Sequence, residues 1–301
     1  MMRWRALAAL VVAFALAVGV PARAGIAVRD GTGAAVELPQ PAARIVSLAP
    51  HATELVYAAE AGRMLVGALA HSDWPPEARA LPRVGDAAAL DVEGIVALKP
   101  DLVVTWPYTV PAQVAKLRSF GIAVYTTDAR SAREITDDVE RLATLAGTAG
   151  AAAPTVAAMR ARITAIERDR AGVRAVRVFY QLGDKPMYTV GSPQLITQAL
   201  QACGGVNVFG TVGVAAPLVS VEAVLATRPE AILAGTEHAR RPAWLDGWQA
   251  WPALPAVRAG NLYAVDAMLL HRPGPRFLDG VEQICATLDR ARTALVKKGI
   301  Q

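Results

Sequence analysis

Apolar positions along the chain follow two rhythms. Short β-branched runs at residues 44–48, 65–68, 102–106 and 122–126 alternate with stretches of helical spacing, and the alternation resumes at 176–181, 231–234 and 262–265. Continuous apolar runs suit strands buried on both faces, and helical crossovers between them predict parallel sheets, so the chain reads as α/β. Ahead of these, Val28-Arg29-Asp30-Gly31 and Val36-Glu37-Leu38 flank a glycine-rich turn and predict a small hairpin. Ser131 with Glu134 forms a capping box for a helix reaching Ala146, where Gly147 can end it.

Between the two alternating halves, Val156, Met159, Ile163 and Ile166 are spaced by three, four and three, a narrow apolar stripe on a surface of Ala, Arg and Glu. A helix over 151–171, with Pro154 near its start, would rise about 30 Å and could act as a strut between two lobes. The expected organisation is a first α/β lobe over 25–149, a linker helix over 150–172 and a second α/β lobe over 173–301. The lobes also share a phrase. Val92-Glu93 runs through Ala97 to Lys99-Pro100-Asp101 and an apolar strand, and Val221-Glu222 runs through Ala226 to Arg228-Pro229-Glu230 and another, 129 residues later. Asp91 and Ser220 stand at the two helix N-caps. A duplicated helix-strand unit accounts for this; chance use of common helix-to-strand grammar is the alternative.

The first 24 residues follow a different plan. Arg3 and Arg5 precede an apolar run from Ala6 to Val20, then Pro21 and the small-x-small sequence Ala22-Arg23-Ala24, which predicts a secretory signal peptide cleaved after Ala24. As a helix, that run rises only about 22 Å, short of a hydrocarbon core of roughly 30 Å. An exported protein is the expectation, in the periplasm or an equivalent space. The segment also carries three of the 31 basic residues and no acid, so the remainder holds 28 basic and 26 acidic groups. That near balance sets aside binding to nucleic acid.

Export makes Cys203 and Cys285 informative, since they are the only cysteines and an oxidising compartment favours pairing. A bridge between positions 82 residues apart would be worth roughly 4 kcal/mol in the chain-entropy model. Two isolated buried thiols, or a two-cysteine metal site, are the other readings. Catalytic signatures are missing: no G-x-S-x-G, H-E-x-x-H, Walker A or complete G-x-G-x-x-G occurs, and His51, His71, His238 and His271 are scattered. An exported two-lobed chain of this kind reads as a receptor rather than an enzyme.

Residues Arg44 to Leu55, reading RIVSLAPHATEL, then Gly67 and His71-Ser72-Asp73-Trp74-Pro75-Pro76, closely resemble periplasmic cobalamin-binding proteins of ABC importers. Asp91 to Trp106, Cys203 to Phe209, Val219 to Glu222 and Glu282 to Cys285 follow in the family's order, so the likeness covers essentially the whole chain after residue 24. It extends more loosely to siderophore- and haem-binding relatives. The resemblance implies two chelatase-like lobes joined by one rigid helix, a ligand cleft between them, little movement on binding, and a Cys203–Cys285 disulfide. It implies a monomeric receptor that delivers cobalamin to an inner-membrane permease, with no cofactor of its own.

Carried over residue by residue, the family's ligand contacts fall on His71, Trp106, Tyr188 and Asp266, with Trp74 and Arg272 in the same segments. Glu93 and Glu222 match the pair that docks into arginine-containing permease pockets, although a Glu in a first helical turn also favours the helix dipole. His71 stands where a tyrosine is familiar, so it either coordinates ligand-borne cobalt or iron or packs on the ring. Ala87 and Ala216 replace familiar tryptophans. One of Trp244, Trp248 and Trp251 could compensate, or all three pack within the second lobe, and Tyr108 is a further candidate contact. Haem or an iron-siderophore is the alternative ligand. A metal-chelate-processing enzyme is the alternative class, hinted at only by Asp266 with His71.

Overall fold

The computed structural model describes residues 25–300; the expected signal peptide and its cleavage point lie outside them. The hairpin forms from β1 (Ile26–Arg29) and β2 (Ala35–Leu38), paired antiparallel. Asp30 closes its turn: one carboxylate oxygen accepts from the Thr32 and Ala34 amides, and the other accepts from the Thr126 amide, fastening the hairpin to the first lobe.

Two four-stranded sheets follow. The first contains β3 (Ile45–Ser47), β4 (Leu65–Ala68), β5 (Leu102–Thr105) and β6 (Ala123–Thr126) in the order β4-β3-β5-β6, all parallel. The second contains β7 (Val176–Gln181), β8 (Gly205–Asn207), β9 (Ala231–Thr236) and β10 (Leu262–Asp266) in the order β10-β9-β7-β8, again parallel. Counted from the first strand of each lobe, both orders are 2-1-3-4. Strand β8 has only three residues, too few for an apolar rhythm to announce it.

The repeated phrase occupies the same place in each lobe, immediately before the third strand. Helix Val92–Ala97 is capped by the Asp91 carboxylate, which accepts from the Gly94 amide, and helix Val221–Thr227 by the Ser220 hydroxyl, which accepts from the Ala223 amide. At the far end Lys99 (φ 48°) and Arg228 (φ 49°) both take the left-handed conformation, a strained choice for residues with a Cβ. The same clamp holds both. The Arg44 guanidinium donates to the Leu98 carbonyl at 2.7 and 2.8 Å, and that of Arg177 donates to the Thr227 carbonyl. The carboxylates after the prolines then accept backbone amides of the same arginines, Asp101 from Arg44 at 3.1 Å and Glu230 from Arg177 at 2.9 Å. Matching topology, dihedrals and clamps favour duplication over chance.

The linker helix runs Ala149–Asp169, two residues earlier at each end than expected, with Pro154 in its second turn. Val156, Met159 and Ile163 are buried, with Ile166 against them, in a continuous apolar cluster that includes residues of both lobes. Arg160 pairs with Glu140 at 2.6 Å on helix Ala132–Ala146 of the first lobe, and Arg162 pairs with Asp279 at 2.6 Å and Glu282 at 2.9 Å on helix Phe277–Lys297 of the second. Exposed pairs of this kind contribute little; the buried stripe carries the attachment. Cys203, after helix Leu195–Ala202, is disulfide-bonded to Cys285 on helix Phe277–Lys297. The capping box forms with an adjustment: Ser131 caps the Glu134 amide, while the Glu134 carboxylate reaches the amide of Arg130, one residue before the cap. Among the described residues no helix is long and apolar enough to cross a membrane.

Candidate functional site

Where all strands of a sheet run the same way, the chain leaves every strand at one edge, and the loops gathered there form the natural ligand site. Here both sheets turn that edge toward one cavity of about 610 Å³, within the roughly 300–1,000 Å³ typical of small-molecule sites. The first lobe supplies His51 after β3, Trp106 after β5 and Thr127 after β6; the second supplies Leu182 after β7, Ala216 between β8 and β9, and His271 after β10.

The first-lobe wall is an aromatic ledge. His51 lies in the first turn of helix Pro50–Ala58 and is buried, with Nε2 3.3 Å from the Thr127 hydroxyl. Trp106 meets it edge-on at 5.1 Å, and Tyr108 meets Trp106 at 4.8 Å. Burial first, and the Arg272 charge second, push the His51 pKa down to about 3, so its imidazole is neutral at physiological pH. The opposite wall is largely aliphatic, through Leu182, Val190, Leu195 and Leu270. His271 interrupts it, with Nε2 3.1 Å from the hydroxyl of buried Tyr180. Burial lowers the His271 pKa, and the Asp266 charge opposes that shift.

Beside the cavity, ionic contacts join the lobes directly. Glu54, on the His51 helix and only 3% exposed, accepts from Arg276 of the second lobe at 2.6 and 2.9 Å. Arg272 donates to Asp73 at 2.9 Å and stands 3.7 Å from Glu54, and the Arg276 guanidinium lies 4.8 Å over the Trp74 ring. Partial burial would raise the Asp73 pKa, but the hydrogen bond and charge of Arg272 hold it below the usual carboxylate range. Gly274 eases the approach, since a Cβ there would stand a tight 3.2 Å from the Glu54 carboxylate and 3.4 Å from His51.

Of the residues the sequence singled out, Trp106 and the further candidate Tyr108 line the cavity. Trp74 and Arg272 belong to the interlobe cluster. His71 is exposed in a left-handed turn (φ 63°) after β4, near Asp86. Tyr188, 40% exposed, bridges through its backbone to Leu218. Asp266 ends β10 and caps helix Ala267–Leu270 by accepting from the Met268 amide at 2.8 Å. These three lie at or beyond strand carboxyl ends but do not line the cavity. Glu93 and Glu222 are exposed in the first turns of the repeated helices. Helices leading into parallel strands run opposite to them, which sets both glutamates toward the cleft edge, one per lobe.

The tryptophan cluster packs. Trp248 is buried, donates from Nε1 to Gln181 at 2.8 Å and meets Phe179 and Trp251 edge-on or tilted, with Trp244 in the same apolar cluster. Ala216 lines the cavity, whereas Ala87 does not. Among the described residues no group of three or more His, Cys, Asp or Glu could hold a metal ion. Sequence reasoning missed His51, His271, Glu54 and Arg276 as site residues. Their signal lay in two short segments, PHATE at 50–54 and HRPGPR at 271–276, each crowding ionisable groups around a strand exit.

Two parallel-sheet lobes opening onto one shared cavity define a ligand-capture architecture, and the chain belongs to the periplasmic binding protein family, whose model matches residues 45–269. That family is one of binding proteins. The chain is 39% identical over 256 residues to the vitamin B12-binding protein of Vibrio cholerae serotype O1, covering 84% of this chain and 92% of that one. Among solved structures it is similar to the periplasmic vitamin B12-binding protein of Vibrio cholerae, with a TM-score of 0.76 and 39% identity over 84% of this chain and 98% of that one. It is also similar to the apo periplasmic haem-binding protein from Roseiflexus sp. RS-1, with a TM-score of 0.70 and 26% identity over 82% and 98%.

Proposed function

We propose that this chain captures cobalamin or a related corrinoid in the cleft and delivers it to an ABC transporter permease. One observation carries the reading: the His51–Trp106–Tyr108 ledge faces an aliphatic wall across the cavity. A corrin offers a broad apolar face and a rim of amides, and such a slot suits the face. Trp106 stacks on the ring, and His71, Trp74, Tyr188, Asp266 and Arg272, in segments outside the cavity lining, contact the parts of the corrinoid that extend beyond the cavity. Tyr108 takes up contact area that Ala87 and Ala216 give away. His71 is the candidate axial ligand to the metal of the bound compound. Glu93 and Glu222 dock the permease. The protein works as a monomer in the periplasm, freed from residues 1–24 by cleavage after Ala24.

Calorimetric titration of the chain from Gly25 onward, with absorption spectra recorded alongside, is the test. One-to-one binding of cyanocobalamin and not haemin is expected. Binding of haemin alone would overturn the ligand and leave the family intact. A cobalt spectrum that changes on binding and reverts in His71→Ala would identify the axial ligand. The double variant Glu93→Lys/Glu222→Lys should keep its cobalamin affinity and lose uptake in cells, and loss of affinity would count against docking.

A further inference from the structure

His271 and Tyr180 form a pair that the ligand reading above does not use. Tyr180 is fully buried in β7, and among the described residues its hydroxyl has one hydrogen-bonding partner, His271 Nε2 at 3.1 Å. Room for the pair comes from Gly235 of β9, where a Cβ would stand 2.4 Å from the Tyr180 hydroxyl and 3.0 Å from His271 Nε2. A buried hydroxyl hydrogen without an acceptor is costly. The phenol must therefore donate, and Nε2 must offer its lone pair. A neutral imidazole whose Nε2 accepts carries its proton on Nδ1, and desolvation of the inner edge of this otherwise exposed ring favours the neutral form. No described protein group takes the Nδ1–H, while His271 lines the cavity.

We propose that Tyr180 is a positioning residue that holds His271 in its Nδ1–H tautomer, so that His271 presents a hydrogen-bond donor to an oxygen acceptor on the rim of the bound compound. The inference rests on the cleft being the ligand site. With Nε2 engaged and Nδ1 protonated, His271 has no lone pair for a metal, so it recognises the periphery of a tetrapyrrole and not its centre. An amide carbonyl of a corrinoid is an acceptor of the required kind.

Long-range proton-nitrogen correlation spectra of the histidine-labelled protein read the tautomer without any ligand. The expected result is Nδ1–H for His271 in the wild type and conversion to Nε2–H in Tyr180→Phe. In titrations with cyanocobalamin, His271→Asn, whose amide nitrogen falls near Nδ1, should bind within about threefold of wild type. His271→Gln, whose amide nitrogen falls near Nε2, and Tyr180→Phe should each bind about tenfold more weakly. An Nε2–H tautomer in the wild type, or affinity retained by Gln and lost by Asn, would overturn the proposal. Failure of the wild type to bind cyanocobalamin would instead overturn the ligand reading, and the nitrogen spectra would still decide the tautomer.

Discussion

The two lobes share a scaffold and differ in what they bring to the cleft. Both have strand order 2-1-3-4, a capped short helix before the third strand, a left-handed basic residue before proline, and an arginine that clamps the preceding carbonyl. These features satisfy backbone hydrogen-bonding groups where the chain enters the third strand of each sheet. Past the strand ends there is no ladder to satisfy, and the lobes part company. The first contributes carboxylates, Glu54 and Asp73, and a buried imidazole that meets Trp106 edge-on. The second contributes guanidiniums, Arg272 and Arg276, and an imidazole with part of its ring open to the cavity. Opposite charges meet across the boundary, so each lobe completes what the other leaves unpaired.

Breaking that complementarity should have the largest effect. Glu54→Gln leaves Arg276 and Arg272 facing one another without their shared buried anion, and should cost about 3 kcal/mol in urea unfolding, at the lower end for a severed buried pair because both arginines keep some water. The double variant Glu54→Gln/Arg276→Met should recover part of that loss, since it removes the stranded charge as well. Recovery of nothing would mean that the contact is shape and not charge.

Next in size is a pH effect confined to the first lobe. The folded-state pKa of His51, about 3, lies below its ordinary value of 6.5, so the unfolded chain binds a proton that the folded one refuses. Stability from His51 is therefore present above pH 6.5 and is lost as pH falls from there toward 3, by about 1.5 kcal/mol between pH 6.5 and 5. Comparing urea midpoints of wild type and His51→Gln at those two pH values isolates this contribution; parallel declines in both proteins would remove it.

The smallest effect sharpens the likeness instead of the difference. Asp91→Ala and Ser220→Ala each remove one side-chain cap from equivalent helices, and each should cost about 1 kcal/mol. Thermal melts giving clearly unequal losses would mean that the two repeats, alike in geometry, are unlike in energetic weight.

Much of the scaffold was legible before any coordinates. The hairpin, seven of the eight sheet strands, the linker stripe and the repeated unit all followed from local patterns, because strands buried on both faces read as short continuous apolar runs and helix amphipathicity is written at a period of 3.6. Strand β8 was too short to carry a rhythm, and the linker helix begins at Ala149, two residues before the expected start. The site was legible in part. Trp106 was found, and Tyr108 was flagged beside it. Nothing local marks Glu54 as a site residue, because its partner Arg276 lies 222 positions away and only the fold brings the two together. His51 and His271 looked like scattered histidines for the same reason.

The sequence by itself determined the α/β class and the two halves, and raised a kinship between them that topology then favoured, since these depend on patterns among neighbours along the chain. Which imidazoles face the cavity, which charges tie the lobes together and which tryptophans merely pack were decided only by tertiary structure. Each depends on groups far apart along the chain, from separate lobes at the cleft and from one lobe in the tryptophan cluster, where backbone geometry, and no local pattern, sets the distance.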